Sequence, residues 1–335
     1  MAHTFDVVTI GGAVRDITFY TNRGKFIATP DNLTAQRMLA FEYGAKVYVE
    51  DAKVGFGGGA ANTAVCLRLL GKKVRALCAV GNDAGGHEII QNLKTHGVDT
   101  RLVQTVRGAV SGFSMVLATD RRDIEHIAFV HHGAISQLQV SAAALARQST
   151  QWLYLTSLAG KQWQKNLKSV FAAAARGHSN VIWNPGNVQL QAGKRALSPF
   201  LKRTEVLILN KDEAIELVLS GVTLGRKNPR HLNRPVYLLN ILQEWGPHIV
   251  VITDGKRGAW AYDGEKMYRQ AIKRVKAIDT TGVGDAFGAT FLAALLSGKT
   301  IGDALYWGMV NTASLATAVG AQSGLLTRSE LFKKL

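Results

Sequence analysis

Asp279-Thr280-Thr281-Gly282-Val283-Gly284-Asp285-Ala286-Phe287 is a polar, glycine-containing stretch that runs directly into the apolar segment GATFLAALL. Glycines at the N-terminus of a helix leave backbone N–H groups accessible, and the helix dipole adds partial positive charge there. The stretch therefore predicts a phosphate site at the start of a helix.

Asp285 would lie in the first turn of this helix, beside the bound anion. A carboxylate in that position suits a general base that takes a proton from an attacking hydroxyl. By spacing alone, a second interpretation is equally compatible, in which the glycines only form a tight turn and Asp285 only favours the helix dipole. A Walker A loop is excluded, because Gly298-Lys299-Thr300 has Ala293 where the leading glycine should stand.

A second glycine-rich stretch, Gly55-Phe56-Gly57-Gly58-Gly59-Ala60-Ala61-Asn62, matches the G-x-G-x-x-A dinucleotide fingerprint. That fingerprint should follow the first parallel strand and precede an acidic residue by about 20 positions, whereas here the next candidate, Asp83, comes too late. In the alternative interpretation, Gly57 and Gly58 let the backbone approach a ligand closely, and Asn62 offers its amide to a hydroxyl.

The chain has 335 residues, of which 47% are hydrophobic, so it can bury a sizeable core. Beyond residue 137, strands alternate with helices, which predicts βαβ units and a largely parallel, doubly wound sheet. The expected elements include one β-rich run at 74–80, a helix over 138–148, and a hairpin of residues 111–120 and 124–132 whose turn is 120–123.

The chain carries a formal net charge of +16, which favours anionic partners such as nucleotides or phosphorylated metabolites. Because the basic residues are scattered and form no nucleic-acid-binding motif, nucleic acid is not expected as a partner. Two cysteines within apolar segments argue against disulfides. Without a predicted membrane span, we expect a cytoplasmic protein that does not associate with membranes.

Together, the two glycine-rich stretches resemble the ribokinase/PfkB carbohydrate kinase family, and the resemblance extends over about residues 5–325. The family signature D-T-T-G-A-G-D-A-F corresponds to residues 279–287, with Val283 in place of Ala, and the motif G-G-x-x-A-N corresponds to residues 57–62. Residues 11–16, 80–86 and 210–213 resemble three further family motifs in the same order.

This resemblance implies ATP-dependent phosphorylation of a hydroxyl on a sugar or sugar-like substrate, with Asp285 as the base. The amides of Gly282, Val283 and Gly284 would hold the transferring phosphoryl group. The residues implied for the substrate are Asp16, Gly57, Gly58 and Asn62. Those implied for the nucleotide are Asn210, Glu213, Thr253, Gly255 and Asn311.

The resemblance also implies metal ions. Glu213 would organise Mg²⁺ through water, and Asp279 and Thr281 resemble the family's monovalent-cation loop, which implies K⁺ as a further ligand. The implied fold is a single ribokinase-like α/β domain over residues 1–335, with a doubly wound, mostly parallel sheet and helices on both faces. A small β lid of about 12–20, 44–55 and 108–132 would cover the sugar, and its edge offers a surface for a homodimer.

The residues at the sugar site depart from those of ribokinases, because Val14, Gly59 and Thr156 stand where ribokinases carry Asn, Lys and Glu. The substrate therefore stays open, and a fructokinase-like or a nucleoside (adenosine-like) kinase is an alternative within the family. Alternatives of another class are an NAD-dependent dehydrogenase and a non-catalytic sugar-binding relative. The intact Asp285 counts against the last, since a binding module needs no base.

Overall fold

The computed structural model describes residues 4–28, 37–118, 127–223 and 229–335. Its strands are numbered in chain order. They are β1 (Phe5–Ile10), β2 (Val14–Tyr20), β3 (Lys25–Ala28), β4 (Arg37–Ala40), β5 (Asp51–Gly57), β6 (Val74–Leu77), β7 (Ala79–Gly81), β8 (Gln104–Val106), β9 (Phe113–Ala118), β10 (Ile127–His131), β11 (Thr150–Leu155), β12 (Asn180–Trp183), β13 (Val206–Asn210), β14 (Ile249–Thr253), β15 (Ala259–Tyr262) and β16 (Met267–Gln270).

The α-helices are α1 (Gly59–Leu69), α2 (Ala84–Thr95), α3 (Ala142–Ala146), α4 (Trp163–Gly177), α5 (Asn187–Leu201), α6 (Lys211–Leu219), α7 (Pro235–Glu244), α8 (Val283–Leu295), α9 (Ile301–Leu315) and α10 (Arg328–Lys334). Short 3₁₀ helices cover Gly133–Gln137, Pro229–Asn233 and Gly255–Arg257. Within the described residues, none of these helices combines the length and apolarity that crossing a membrane requires.

Eight strands form one large sheet in the order β16-β15-β14-β13-β12-β11-β1-β6. The six strands from β14 to β6 are parallel, and the hairpin of β15 and β16 adds two antiparallel strands at one edge. Because parallel strands need crossover connections, helices cover both faces of this sheet. The predicted doubly wound α/β fold is confirmed.

Two cores lie on opposite faces of the large sheet, because successive strand residues point to alternate sides. Val7 and Ile208 belong to the core under α1, α2, α8, α9 and α10, whereas Val8 and Leu207 belong to the core under α3–α7. Each large apolar side chain that is fully buried in these cores stabilises the fold by about 1.5–3 kcal/mol. This packing holds the carboxyl ends of the parallel strands at one edge.

A second, four-stranded sheet has the order β10-β9-β2-β5. Its pairs β10–β9 and β2–β5 are antiparallel, whereas β2 and β9 are parallel. We call it the small sheet. It contains strands from each of the three segments assigned to the lid, but residues 44–50 lie outside its strands. The predicted hairpin turn at 120–123 falls outside the described residues.

Some local predictions were wrong. The run at 74–80 is divided into β6 and β7, which lie in different sheets. The helix predicted over 138–148 is only α3, because the Ser141 hydroxyl caps it by accepting a hydrogen bond from Ala144 N, and a 3₁₀ helix precedes it.

Candidate active site

The phosphate-site prediction concerns the N-terminus of α8. Gly282 is the N-cap residue of α8 with φ of 73°, in the left-handed region that favours glycine. Gly284 follows in the first turn, is exposed, and has open space where a Cβ would stand. The first N–H groups of an α-helix have no acceptor within the helix, so this end of α8 can bind an anion.

A turn after α9 fixes the loop that precedes α8. The Asp279 carboxylate accepts hydrogen bonds from Thr281 N and Oγ1 at 2.8 and 2.7 Å, and from Gly320 N at 2.8 Å. A Cβ on Gly282 would lie 2.6 Å from the Cβ of Ala321. The Asp279 and Thr281 side chains therefore brace the loop. If K⁺ binds here, backbone carbonyls would be its ligands. The K⁺ site stays a prediction.

Asp285 is the third residue of α8, and its side chain is half-buried. Burial raises the pKa of this carboxyl above the ordinary value of 3.8, and a hydrogen bond from Asn62 opposes the rise. In that bond, Asn62 Nδ2 donates to Asp285 Oδ2 at 2.8 Å. A partly desolvated carboxylate beside an anion site is suited to accept a proton.

Asn62, which the resemblance assigned to the substrate, lies between Asp285 and Gln322. Asn62 is only 4% exposed. Its nitrogen faces Asp285, and its oxygen Oδ1 accepts a hydrogen bond from Gln322 Nε2 at 3.0 Å. The amide is thus engaged with Asp285 and with Gln322, and its contact with a substrate hydroxyl, which the resemblance implied, stays a prediction.

Asp16 lies on β2 in the small sheet and borders a cleft of about 430 Å³, whose other lining residues are Thr18, Lys53, Val54, Gly55, Val319, Gly320 and Ser323. Ser114 Oγ on the neighbouring strand β9 donates to Asp16 Oδ1 at 2.5 Å. Burial raises the pKa of Asp16, the Ser114 bond opposes this, and nearby Asp279 adds to the rise. A buried carboxylate at a cleft can accept hydrogen bonds from ligand hydroxyls.

The two glycines before α1 allow other parts of the chain to approach the backbone closely, because they have no Cβ. A Cβ at Gly57 would collide with the Asp16 carboxylate, and a Cβ at Gly58 would lie 2.6 Å from Gly12 O. Gly58 also has φ of 89°, in the left-handed region. These two residues therefore bring β5 and α1 against the loop after β1. Their predicted contact with substrate stays a prediction.

Three of the residues assigned to the nucleotide meet at the carboxyl ends of β13 and β14. Asn210 and Thr253 are paired across these parallel strands, and Gly255 follows in the next turn. They border a cleft of about 520 Å³, whose other lining residues are Lys211, Asp212, Asp254, Lys256 and Arg257. Ligands of open α/β sheets bind at this edge. The three basic and two acidic side chains of the cleft leave a net positive charge, which suits a polyphosphate, although Asp254 pairs with both Lys211 and Arg257.

Asn210 and Glu213 form a capping box at the start of α6. Asn210 Oδ1 accepts from Glu213 N at 2.9 Å, and Glu213 Oε2 accepts from Asn210 N at 2.8 Å. The pKa of Glu213 is raised, mainly by burial. Repulsion from Glu216, Asp212 and Asp285 adds to the rise.

The same repulsion bears on magnesium. Glu213 and Asp285 interact electrostatically as like charges, and a cation bound between them and a phosphate would relieve this repulsion. Among the described residues, no group of three or more His, Cys, Asp or Glu is placed to hold a metal ion. Glu213 is an acidic side chain of this site that could organise Mg²⁺ through water, and Mg²⁺ at phosphate sites takes its other ligands largely from phosphate and water.

Asn311 was wrongly assigned to the nucleotide. Its side chain is fully buried in α9. Asn311 Nδ2 donates to Thr290 Oγ1 at 2.7 Å, and Oδ1 accepts from Leu326 N at 2.9 Å. A residue enclosed in this way joins α9 to α8 and to the segment before α10, and its side chain cannot contact a nucleotide.

The sequence analysis did not identify Ser114, Lys211 or Gln322 as part of the site. Lys211 Nζ lies 3.5 Å from Asp254 Oδ1 in the nucleotide cleft. Lys211 lies within the motif at 210–213, so its position in the sequence could have indicated that it belongs to the site. Ser114 contacts Asp16 from a neighbouring strand, and Gln322 contacts Asn62 from a distant segment of the chain. No local sequence pattern indicates contacts of that kind.

The dehydrogenase alternative fails on topology. The glycine-rich stretch at 55–62 begins within β5, an edge strand of the small sheet, and does not follow the first strand of the parallel sheet. A Rossmann fingerprint requires the latter position.

Known proteins that resemble this chain include a ribokinase and a nucleoside kinase. The ribokinase of Haemophilus influenzae is 26% identical over 320 residues, which cover 93% of this chain and 98% of that protein. The structure of Arabidopsis thaliana ribokinase complexed with ribose and ATP matches with a TM-score of 0.78 at 19% identity, covering 99% of this chain and 98% of that chain.

The structure of a Burkholderia thailandensis nucleoside kinase in complex with inosine matches with a TM-score of 0.75 at 18% identity, covering 97% and 96% of the two chains. At these identities, both structures bear on the fold. The family model for the pfkB family carbohydrate kinases matches residues 25–328. This match spans most of the chain, including α8 with its glycines and Asp285, and the chain therefore belongs to the pfkB family of carbohydrate kinases.

Proposed function

We propose that this protein transfers the γ-phosphoryl group of ATP to a hydroxyl of a sugar, with Asp285 as the general base. The observation that carries the proposal is the position of Asp285. Its carboxylate is partly desolvated, held by Asn62 and placed in the first turn of α8 directly after Gly282 and Gly284. The proposal thus combines a proton acceptor and an anion site at one helix end.

The acceptor would bind in the 430 Å³ cleft, where Asp16 accepts hydrogen bonds from its hydroxyl groups. The nucleotide would lie in the cleft at Asn210, Thr253 and Gly255, with its phosphates directed to α8. In the transfer step, Asp285 takes the proton of the attacking hydroxyl, while the N–H groups at Gly282, Val283 and Gly284 stabilise charge on the phosphoryl oxygens. Magnesium, organised by Glu213 through water, would supply charge neutralisation on the phosphates when bound.

A nucleoside is the second candidate acceptor. The nucleoside kinase that resembles this chain was solved with inosine. In addition, Val14, Gly59 and Thr156 replace the residues that ribokinases carry at the sugar site. Both acceptors offer ribose-type hydroxyls to Asp16, so the proposed chemistry is the same.

The small sheet would act as a lid. Asp16, Thr18 and Lys53 lie on the face that borders the cleft, so closure would remove water from the acceptor. Ile17, Val54, Met115 and Phe129 alternate with these residues and are aligned across the four strands on the other face of the sheet, although Val54 also borders the cleft. We propose that this apolar row pairs with the same row of a second copy, as a homodimer through the lid.

An acceptor panel with a matched variant tests the proposed function. ADP release would be measured with ATP and Mg²⁺ in the presence of ribose, deoxyribose, fructose, fructose 6-phosphate, adenosine or inosine. We expect release that depends on one acceptor class. Asp285→Asn should lower that rate by about 10²–10⁴-fold, because Asn cannot accept the proton, and ATP binding measured by calorimetry should persist.

Asp303→Asn is the matched control, because Asp303 is likewise the third residue of a helix, α9, and is exposed. It should lose some helix capping and keep its turnover. Near-normal turnover of Asp285→Asn would overturn the assignment of the base, and wild-type ADP release without any acceptor dependence would overturn the transfer to an alcohol.

A further inference from the structure

Three side-chain amides form a continuous hydrogen-bonded chain that ends at Asp285. Asn92 Nδ2 on α2 donates to Gln322 Oε1 at 3.0 Å, and Gln322 Nε2 donates to Asn62 Oδ1 at 3.0 Å. Asn62 Nδ2 then donates to Asp285 Oδ2 at 2.8 Å. We call these residues the amide chain. It joins α2, the turn after α9, and α1 to the proposed base.

The carboxylate sets the direction of every bond in the amide chain. An ionised carboxylate only accepts hydrogen bonds, so Asn62 must present its nitrogen to Asp285 and its oxygen to Gln322. For the same reason, Gln322 must present its nitrogen to Asn62 and its oxygen to Asn92. Without Gln322, Asn62 Oδ1 would lose its donor, and the amide would be held in this orientation only by its bond to Asp285.

We propose that Gln322 is a positioning residue, which holds the Asn62 amide with its nitrogen toward Asp285 and thereby orients the carboxylate of the base. The proposal rests on the proposed function, since it needs Asp285 as the base. Gln322 itself does not contact the base in this chain of bonds, because Asn62 stands between them. Its effect would pass entirely through the orientation of the Asn62 amide.

The other groups that face Asp285 cannot replace this hydrogen bond. In the described part of the chain, the titratable groups that interact with it are Cys66 on α1, Tyr154 on β11 and Glu213 on α6. Burial raises the pKa of Cys66 to about 12 and that of Tyr154 well above 10.0, so both are neutral at neutral pH. Glu213 is a like charge. Of the side chains named here, Asn62 is the one that donates a hydrogen bond to the base.

Gln322→Glu tests the proposal, because it keeps the side-chain shape and replaces the donor by an acceptor. The introduced carboxylate would draw the Asn62 nitrogen away and turn the Asn62 oxygen toward Asp285. The ionised base would lose a favourable bond, so its pKa should rise by about one unit. Since the base works ionised, kcat should fall about tenfold on the acid side of the pH profile and approach the wild-type value at high pH.

Gln322→Met is a second variant, which removes both polar atoms without supplying an acceptor. It should shift the pH profile in the same direction by a smaller amount. Gln164→Glu is the control for the added charge, because Gln164 is exposed in the first turn of α4. It should leave the profile unchanged. Equal losses for Gln322→Glu and Gln322→Met at every pH would indicate a merely structural role and overturn the proposal.

A readout without turnover separates this inference from the proposed function. Carboxyl ¹³C resonances of labelled aspartates, with Asp285 assigned through Asp285→Asn, report the pKa of Asp285 directly. An upward shift in Gln322→Glu supports the proposal even if no acceptor is phosphorylated. An unchanged pKa overturns the proposal, whereas loss of turnover in Asp285→Asn would still support the kinase reaction.

Discussion

Gly282 and Gly284 stand two positions apart, yet the structure requires glycine at only one of them for conformational reasons. Gly282 has φ of 73° and no room for a Cβ beside Ala321. Gly284 lies in the helical first turn of α8, with open space around the position of a Cβ. Both residues belong to the proposed phosphoryl site, but the cost of an added methyl group has a different origin in each.

Gly282→Ala should destabilise the protein by at least roughly 1–2 kcal/mol, the cost of the left-handed conformation for alanine. Gly284→Ala should keep or raise stability, since alanine is favoured over glycine in a helix by about 0.5–1 kcal/mol. Its turnover should nevertheless fall, because the methyl group would enter the space proposed for the phosphoryl group. Urea unfolding and steady-state kinetics measure the two effects separately.

Gly302→Ala is the matched control for Gly284→Ala. Gly302 is also the second residue of a helix, α9, and its Cβ would meet only ordinary contacts at 3.7 Å or more. This variant should gain stability without losing turnover. If Gly284→Ala behaved in the same way, the transferring phosphoryl group would not lie against this residue.

At the scale of elements, helix α9 is fixed by a polar residue inside an apolar interface. Asn311 contacts Thr290 on α8 and Leu326 N before α10, and its Nδ2 lies 3.4 Å from Cys66 Sγ on α1. These bonds cross between elements that otherwise meet through apolar side chains. The residue therefore specifies how α1, α8 and α9 pack.

Asn311→Leu should lower the free energy of unfolding by about 1–3 kcal/mol, because it leaves the buried N–H of Leu326 without its acceptor. The KM for ATP should stay close to the wild-type value, since the side chain does not reach the nucleotide cleft. Asn240→Leu on the exposed side of α7 is the control and should change stability by no more than roughly 0.5 kcal/mol. A large rise in the KM for ATP in Asn311→Leu alone would restore its assignment to the nucleotide.

The elements that the sequence predicted are those with a strong local pattern. The apolar runs of β13 and β14 and the glycine-led starts of α1 and α8 were placed to within a few residues. Helix α5 was not predicted, because Gly193 has a non-helical conformation within it and Pro199 interrupts the pattern. The hairpin of β15 and β16 was also missed, since its pairing is decided by the neighbouring strand β14.

The same limit applies to the site. Asp285 and the glycines of α8 were identified because they are adjacent in the chain and form a motif. Asn62 was identified as a polar residue of the site, but its partners Asp285 and Gln322 come from distant segments. A motif reports which residue types occur together, and it does not report toward which neighbour an amide is turned.

At the scale of the whole molecule, the small sheet exposes an apolar row on the face opposite that of Asp16 and Thr18. Val54 and Phe129 are each 56% exposed, and Met115 is 38% exposed. They are neighbours across β5, β2, β9 and β10 and form a continuous row with Ile17. Contiguous exposed apolar side chains favour association, and a second copy of the same row is a self-complementary partner.

Phe129→Lys should shift the protein toward the monomer, because it places a charge within the proposed interface. Sedimentation velocity across a concentration series measures this. Val236→Lys introduces the same charge at an exposed site on α7, outside the small sheet, and should leave association unchanged. A wild-type protein that stays monomeric at high concentration would contradict the proposed homodimer.

The bond between Asn62 and Asp285 joins residues that are 223 positions apart, and this separation has a consequence for biosynthesis. Strand β1 lies between β6 and β11, so it is synthesised before both of these neighbours and can pair with β11 only after residue 150 has been made. Non-local pairing of this kind slows folding, because the entropy of loop closure is lost before the stabilising contacts form. Until the chain has been synthesised through Ser323, it has neither the proposed base nor the side of the acceptor cleft that residues 319–323 supply, so both parts of the proposed site are completed late in synthesis.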